Sequence, residues 1–174
     1  MTHTEIRDLF EKKIYDAKAL IEQTKNNEKI SVKPTVFYCD DNFTESADYD
    51  EKGETSILAD IEIRIAGRDG EDDPMISFGM LCDLKRGLVK DPSSLDNEIV
   101  TFDNDISEFV KGLSSAESTE DFITAEFNRM TEEGEQKVKE LEEKLDKLTK
   151  YTKIGAYSVL AILFIVLLIK TIFA

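Results

Sequence analysis

The sequence predicts an α+β protein in which an antiparallel sheet of three or four strands is covered by an N-terminal helix and a post-sheet helix. A long helical stalk and one C-terminal transmembrane helix follow. Three observations lead to this prediction. Apolar residues recur every three or four positions near both ends of the first 117 residues, they alternate with polar residues in between, and residues 154–169 carry no charge.

An amphipathic helix is predicted over about residues 4–25. Thr2, followed three positions later by Glu5, is a capping-box pattern that favours a helix start at this point. The apolar residues of the segment are spaced so that they share one helix face. They are Ile6, Phe10, Ile14, Ala17 and Ile21.

Three runs of alternating polarity predict strands, at residues 30–38, 57–65 and 76–84. The first contains Pro34, which favours an edge position because proline donates no backbone hydrogen bond. The turn sequence GRDGEDDP separates the second and third runs and predicts that they form a hairpin. The segment EIVTF at 98–102 is a candidate fourth strand.

The helical period returns after residue 105, where a short helix is predicted to close near Gly112. Its apolar face consists of Ile106, Phe109, Val110 and Leu113. A second helix is predicted to start near Ser118 and to run without a break toward the apolar segment.

Residues 154–169 are predicted to span a membrane. Eleven of these 16 residues are Leu, Ile, Val or Phe, and each contributes about −0.3 to −0.6 kcal/mol to insertion near the bilayer centre. With its flanking residues the segment reaches across the ~30 Å hydrocarbon core. The predicted membrane anchor includes Ile154, Leu160, Leu163, Phe164, Leu167 and Ile169.

The charges beside this segment predict its orientation. Lys147, Lys150 and Lys153 precede it and Lys170 alone follows, so the positive-inside rule places the N-terminal side in the cytosol. The first 25 residues contain no apolar stretch of the kind that a secretory signal requires. We therefore expect a single-pass protein with a cytoplasmic head of residues 1–117, a stalk of residues 118–153 and an anchor of residues 154–174.

The chain contains 37 acidic and 22 basic residues, which gives a net charge of −15. This excess excludes nucleic acid as an expected partner, because binding to phosphates needs a basic surface. His3 is the only histidine, so a Ser-His-Asp, Cys-His or multi-histidine metal site cannot form within one chain. We therefore predict that the protein is not an enzyme and has no cofactor, and we interpret Cys39 and Cys82 as reduced structural thiols.

The densest charge lies in the segment 40–54, DDNFTESADYDEKGE, which has seven acidic residues and one lysine. We predict that this acidic loop binds a protein with a basic surface, because exposed charges steer association. DYDEKG does not match an EF-hand, since Lys52 and Ala59 stand where an EF-hand requires oxygen ligands, and low-affinity calcium binding by the acidic cluster is a third alternative. The residues predicted to carry the binding are Asp40, Asp41, Asp48 and Asp50.

The stalk contains an apolar stripe with the spacing of a two-stranded coiled coil, formed by Val138, Leu141, Leu145 and Leu148. We call this stripe the seam. Two heptads predict a weak homodimer, which confinement to a membrane would strengthen. The alternative is that the seam packs on its own domain. A SNARE interpretation fails, because Gly134 interrupts the stripe and Gln136 lies off it.

These observations predict a tail-anchored, cytosol-facing module that recruits or scaffolds a basic protein at a lipid bilayer, as an accessory subunit of a membrane assembly. The alternative function is a membrane-tethered enzyme that uses carboxylates, alone or with a divalent cation. Cation binding that orders residues 40–54 would favour the enzyme.

Overall fold

A computed structural model of the chain describes residues 1–24, 29–50, 53, 55–68, 70 and 73–172. For residues 147, 148 and 150–172 it describes the backbone alone. The chain divides into two compact units, Met1–Phe127 and Asn128–Ala174. Eight elements occur in chain order: α1 (His3–Glu22), β1 (Ile30–Cys39), β2 (Glu45–Ser46), β3 (Ser56–Ile65), β4 (Met75–Lys85), β5 (Leu88–Val89), α2 (Pro92–Ser115) and α3 (Thr119–Ile172).

The α+β class and the antiparallel sheet are confirmed, and β3 and β4 form the predicted hairpin. The predicted number of strands is wrong, because the sheet formed by the described residues has five strands in the order β2-β1-β3-β4-β5. The additional strands, β2 and β5, are two residues long each. Alternating polarity cannot be recognised over two residues, so pairing with a longer strand is what defines them.

The candidate strand at residues 98–102 is also wrong, since this segment lies inside α2. Asp91 caps the helix by accepting a hydrogen bond from the Ser93 amide, and Pro92 occupies the first turn, where its missing N–H costs nothing. The β-branched residues of the segment suggest a strand, but Val100 is 58% exposed, whereas Phe102 is buried. The buried face of α2 consists of Leu95, Phe102, Ile106, Phe109 and Leu113, with helical spacing.

The core lies between the sheet and the two helices α1 and α2, which pack on the same face of the sheet. We call this the inner face. The Arg7 guanidinium of α1 lies 5.1 Å from the centre of the Tyr38 ring, and Phe109 of α2 meets Phe78 with ring centres 5.5 Å apart. More buried and less buried residues alternate along β4 and along β3 from Ile57 onward, as predicted. The fully buried strand residues include Ile57, Ala59, Ile61 and Ile63.

The predicted stripe of α1 is confirmed, because all five of its residues are buried. The capping box is also present, with the Thr2 hydroxyl accepting from the Glu5 amide and the Glu5 carboxylate accepting from the Thr2 amide. The His3 amide donates to the Gly87 carbonyl over 2.7 Å. The first residues of the chain are therefore fixed to the turn between β4 and β5.

Gly112 lies within α2, which continues to Ser115, so it does not close the helix as predicted. Gly112 instead allows the ring of Phe122 to lie close to the backbone of α2. A Cβ atom at this position would lie 2.7 Å from the ring of Phe122, which packs across α2. The adjacent Ile123 is fully buried. The missing side chain therefore lets the beginning of α3 pack in the first unit.

Among the residues that the structure describes, no helix is both long enough and apolar enough to cross a bilayer. The backbone of α3 is helical to Ile172. The predicted anchor side chains at 154–169 and the lysines at 147, 150 and 153 lie outside the described side chains, as does Leu148 of the seam.

Both cysteines are free and buried. Cys39 ends β1 and Cys82 lies in β4, with β3 between the two strands. Burial, together with the nearby carboxylates of Asp83 and Glu98, raises the pKa of Cys82 to about 11. Burial and the charge of Asp40 also raise the pKa of Cys39. Both thiols are therefore protonated at neutral pH, where a thiol is a poor nucleophile.

Candidate functional site

The helices protect the two open edges of the sheet. In the described part of the chain, β2 pairs with β1 at Tyr38 and Cys39 alone, so most of β1 has one neighbouring strand. On this edge Pro34 has no backbone N–H group to donate, and the Lys18 ammonium of α1 donates to the Val32 carbonyl over 3.3 Å. On the opposite edge the Leu81 amide donates to the Glu98 carboxylate of α2, also over 3.3 Å. These contacts disfavour the addition of a strand from another chain.

The face of the sheet opposite the inner face is covered by neither α1 nor α2, and we call it the outer face. A row of apolar side chains crosses this face. Phe37 of β1 is paired with Leu58 of β3, and Leu58 is paired with Leu81 of β4. All three are half-buried. Cross-strand neighbours on one face lie about 4.5–5.5 Å apart at their Cβ atoms, so the three side chains form one continuous apolar strip, the outer row.

A carboxylate flanks the outer row on each side. Asp60 follows Leu58 by two positions on β3, and Asp83 follows Leu81 by two positions on β4, where the strand runs in the opposite direction. Residues two apart in a strand share a face and are separated by about 6–7 Å. The outer face therefore presents an apolar centre between two acidic positions.

The Asp60 carboxylate is partly buried from solvent. The Ser77 hydroxyl donates a hydrogen bond to its carboxylate. Burial raises the pKa of Asp60, and the negative charge of Glu62 adds to the effect, while the bond from Ser77 opposes it. Glu62 itself lies 3.9 Å from the Arg64 guanidinium. The ionised carboxylate of Asp60 is thus less well solvated than it would be in water.

A glycine lies beside this carboxylate on the neighbouring strand. The cross-strand partner of Asp60 is Gly79, which is exposed. A Cβ atom at Gly79 would stand 3.6 Å from the Asp60 carboxylate oxygen and 3.2 Å from the Ala59 carbonyl. Gly79 therefore adds no side chain next to the carboxylate on the outer face.

Asp83 is bound more loosely. The Ser56 hydroxyl donates to its carboxylate over 3.3 Å, and the Lys90 ammonium lies 3.4 Å away. The side chains of Asp83 and Lys90 are about 60% exposed, at 59% and 62%. An exposed ion pair of this kind contributes little to stability, so Asp83 can exchange Lys90 for another cation at small cost.

Two of the four predicted loop aspartates serve the structure of the loop. The Asp40 carboxylate accepts the amides of Asn42 and Thr44 at 2.8 Å each, and these bonds lower the pKa of Asp40. The Asp41 carboxylate accepts the Thr55 hydroxyl at 2.8 Å. The side chains of Asp48 and Asp50 are exposed.

The acidic loop begins at one end of the outer face. It leaves β1 at Cys39, which is paired with Ser56 of β3, and Ser56 is paired with Asp83 of β4. The loop therefore begins on the side of the outer row where Asp83 lies.

An aromatic cluster fixes this loop to α1. The His3 imidazole stacks on Tyr49 with ring centres 4.2 Å apart, and its Nδ1 atom lies 3.1 Å from the Tyr38 hydroxyl. The Arg7 guanidinium donates to the Ala47 carbonyl over 3.1 Å. Within the described residues there is no group of three or more His, Cys, Asp or Glu side chains that could hold a metal ion.

The three seam residues whose side chains the structure describes are strongly exposed. Val138 is 56% exposed, Leu141 is 63% exposed and Leu145 is 65% exposed. Each is therefore accessible to another molecule, and the helical partner stays a prediction.

The outer row and Asp60 were absent from the sequence prediction of binding residues. The signal was present, because Phe37, Leu58 and Leu81 occupy positions at which the alternation calls for a polar residue. Single apolar residues on a solvent-exposed face of a sheet are common and do not by themselves indicate a binding surface. The register that aligns the three across neighbouring strands is what makes them a surface.

Replacing Asp60 with asparagine should leave the melting temperature at pH 7 unchanged or raise it by about 1–3 °C. A carboxyl group whose pKa is raised by folding stabilises the fold when protonated and opposes it when ionised, so its penalty exists above the folded pKa. The difference between variant and wild type should vanish near pH 4, close to the unfolded value for aspartate. Thermal unfolding at both pH values tests this, and a marked loss of stability at pH 7 would contradict it.

No protein-family model matches the chain, and comparisons with curated proteins and with solved structures also found no match. Function must therefore be inferred from the residues themselves.

Proposed function

We propose that the chain is a membrane-tethered protein-binding module whose outer face docks a partner segment with both basic and apolar side chains. The observation that supports this most is the outer row of Phe37, Leu58 and Leu81 between the carboxylates of Asp60 and Asp83. Apolar surface bordered by polar groups is typical of binding surfaces.

The spacing of these groups indicates the chemistry of the partner. In an extended segment, alternate side chains point to the same side and are about 6–7 Å apart. A leucine or phenylalanine on the outer row would then have neighbours at the two flanking carboxylates. The matching segment carries a cation, an apolar residue and a second cation at every other position.

Asp60 would contribute selectivity. Its carboxylate is already partly desolvated, so a lysine or arginine beside it restores a favourable environment, whereas an acidic or neutral residue does not. Because Gly79 has no side chain, that residue does not compete with a cation for the Asp60 carboxylate.

The acidic loop would act at longer range. Residues 1–117 carry 27 acidic and 14 basic side chains, a net charge of −13. Such a field raises the association rate of a basic partner and is screened within about 8 Å at physiological ionic strength. In this proposal Asp48 and Asp50 steer the partner, and the outer row holds it.

Membrane attachment through residues 154–169 completes the proposal. Their apolar composition and the preceding Lys147, Lys150 and Lys153 support an inserted helix with the head in the cytosol. A module in this position would recruit or scaffold a basic protein at the bilayer surface.

A peptide-binding experiment tests the docking surface. The probe is a short fluorescent peptide with lysine, leucine and lysine at alternate positions and serine elsewhere, and its binding to the full-length chain in neutral detergent is followed by anisotropy. Leu58→Ser and Asp60→Asn should each weaken binding about tenfold. Val100→Ser, on the exposed side of α2, is the matched control and should have no effect.

Two further measurements separate docking from general attraction between charges. Replacing the leucine of the peptide with serine should remove most of the affinity without changing its charge. Asp48→Asn with Asp50→Asn should slow association at low salt and leave the dissociation rate unchanged. Equal binding of both peptides, or no response to Leu58→Ser, would refute the outer row as the docking surface.

A further inference from the structure

The exposed seam of the stalk has charged residues on both sides, and their order carries information. With Val138 at position a and Leu141 at position d of a heptad, Leu145 is the next a position and Leu148 the next d position. The positions beside the seam are then e and g. The e positions are Glu135 and Glu142, and the g positions are Lys137 and Lys144, all of them exposed.

This segregation of charge distinguishes the two orientations of a helix pair. In a parallel pair, a g residue contacts the e residue of the following heptad of the partner, which brings Lys137 to Glu142 of the second copy, twice by symmetry. In an antiparallel pair, g faces g and e faces e, so lysines meet lysines and glutamates meet glutamates. Like charges at these positions are unfavourable.

We propose that the surface around Val138, Leu141 and Leu145 binds a second copy of this chain, with the two helices parallel and in register. The seam composition agrees, because a β-branched residue at a followed by leucine at d favours two-stranded coiled coils. Lys137 and Glu142 act as orientation residues, and the apolar seam provides the contact.

A second argument rests on the proposed membrane anchor, whereas the charge pattern does not. In a parallel pair the two 154–169 segments lie side by side and can enter one bilayer. An antiparallel pair places them at opposite ends of the seam, where a single bilayer cannot accept both. Membrane confinement would also raise the effective concentration, so that two heptads suffice.

Cysteine crosslinking of the full-length chain in neutral detergent tests the orientation. Leu141→Cys places two thiols face to face in a parallel pair, and mild oxidation should give a disulfide-linked dimer. Glu143→Cys, at the outward f position, is the matched control and should remain monomeric on denaturing gels. The native Cys39 and Cys82 are buried and should not contribute. Crosslinking of mixed Leu141→Cys and Leu145→Cys chains, with none for Leu141→Cys alone, would show an antiparallel pair and overturn the proposal.

A charge exchange provides the second test, with the dimerisation constant measured by sedimentation. Lys137→Glu should weaken dimerisation about tenfold, and Lys137→Glu combined with Glu142→Lys should restore it, because the pairs reform with opposite signs. Lys139→Glu makes the same change of charge at a b position and should alter the constant less than about twofold. Failure of the double variant to recover, with its helix content intact by circular dichroism, would refute the parallel arrangement. Peptide binding to the head should not change in any of these variants, so a failure here is distinguishable from a failure of the docking surface.

Discussion

Replacing Ile61 with alanine should lower the free energy of unfolding by about 2–5 kcal/mol. The side chain is fully buried on the inner face, where its cross-strand neighbours are Pro34 and Phe78. The neighbouring strands are held by backbone hydrogen bonds and cannot close the resulting cavity. Because domains of this size are stable by about 5–15 kcal/mol, the loss is a large fraction of the total. Urea unfolding of the full-length chain, followed by circular dichroism, measures it.

Leu58→Ala is the matched control, three positions earlier on the same strand and on the outer face. It should cost about 1 kcal/mol or less, because Leu58 is half-buried and neither α1 nor α2 covers it. The comparison tests whether the fold depends on the inner face of β3 more than on its outer face. If the two substitutions proved equally destabilising, the outer row would already be packed within the chain and could not be a docking surface.

The residues of the inner face were predictable because each strand shows its buried positions in its own sequence. Alternation in three long runs predicts β1, β3, β4 and the residues that each strand buries, and the capping box at Thr2 predicts the start of α1. The two-residue strands β2 and β5 have no local pattern, and they form because tight turns bring them beside longer strands. In residues 98–102 the local pattern and the observed structure disagree. Their β-branched residues favour a strand, but Asp91, Pro92 and the buried stripe that begins at Leu95 specify a helix.

The candidate site was predictable only in part. Counting charges identifies the acidic loop but cannot distinguish carboxylates that face a partner from carboxylates that hold a turn. Asp40 and Asp41 accept hydrogen bonds from within the loop region, and that information depends on the conformation of the loop. The outer row depends on register between strands that are far apart in sequence. A slip of one residue would separate Phe37, Leu58 and Leu81, so no single strand contains the signal.

The largest effect on localisation is expected from Leu160→Arg combined with Leu163→Arg. The apolar residues of 154–169 together favour insertion by about 3–7 kcal/mol, and each exchange of leucine for arginine near the bilayer centre costs about 3–4 kcal/mol. Two such changes therefore cancel the insertion energy. Wild-type chain should remain in the membrane pellet after alkaline extraction, whereas the double variant should appear in the supernatant.

Leu160→Ile with Leu163→Ile is the control for this experiment, because it keeps the length and apolar character of the segment and should remain in the pellet. The two arginine substitutions lie outside Met1–Phe127, so the released chain should keep the thermal unfolding of its first unit and its affinity for the lysine and leucine peptide. Retained peptide binding would show that the arginine variant has lost its membrane attachment rather than its fold. Recovery of wild-type chain in the supernatant would contradict the anchor, because a helix inserted across the hydrocarbon core is not released by high pH.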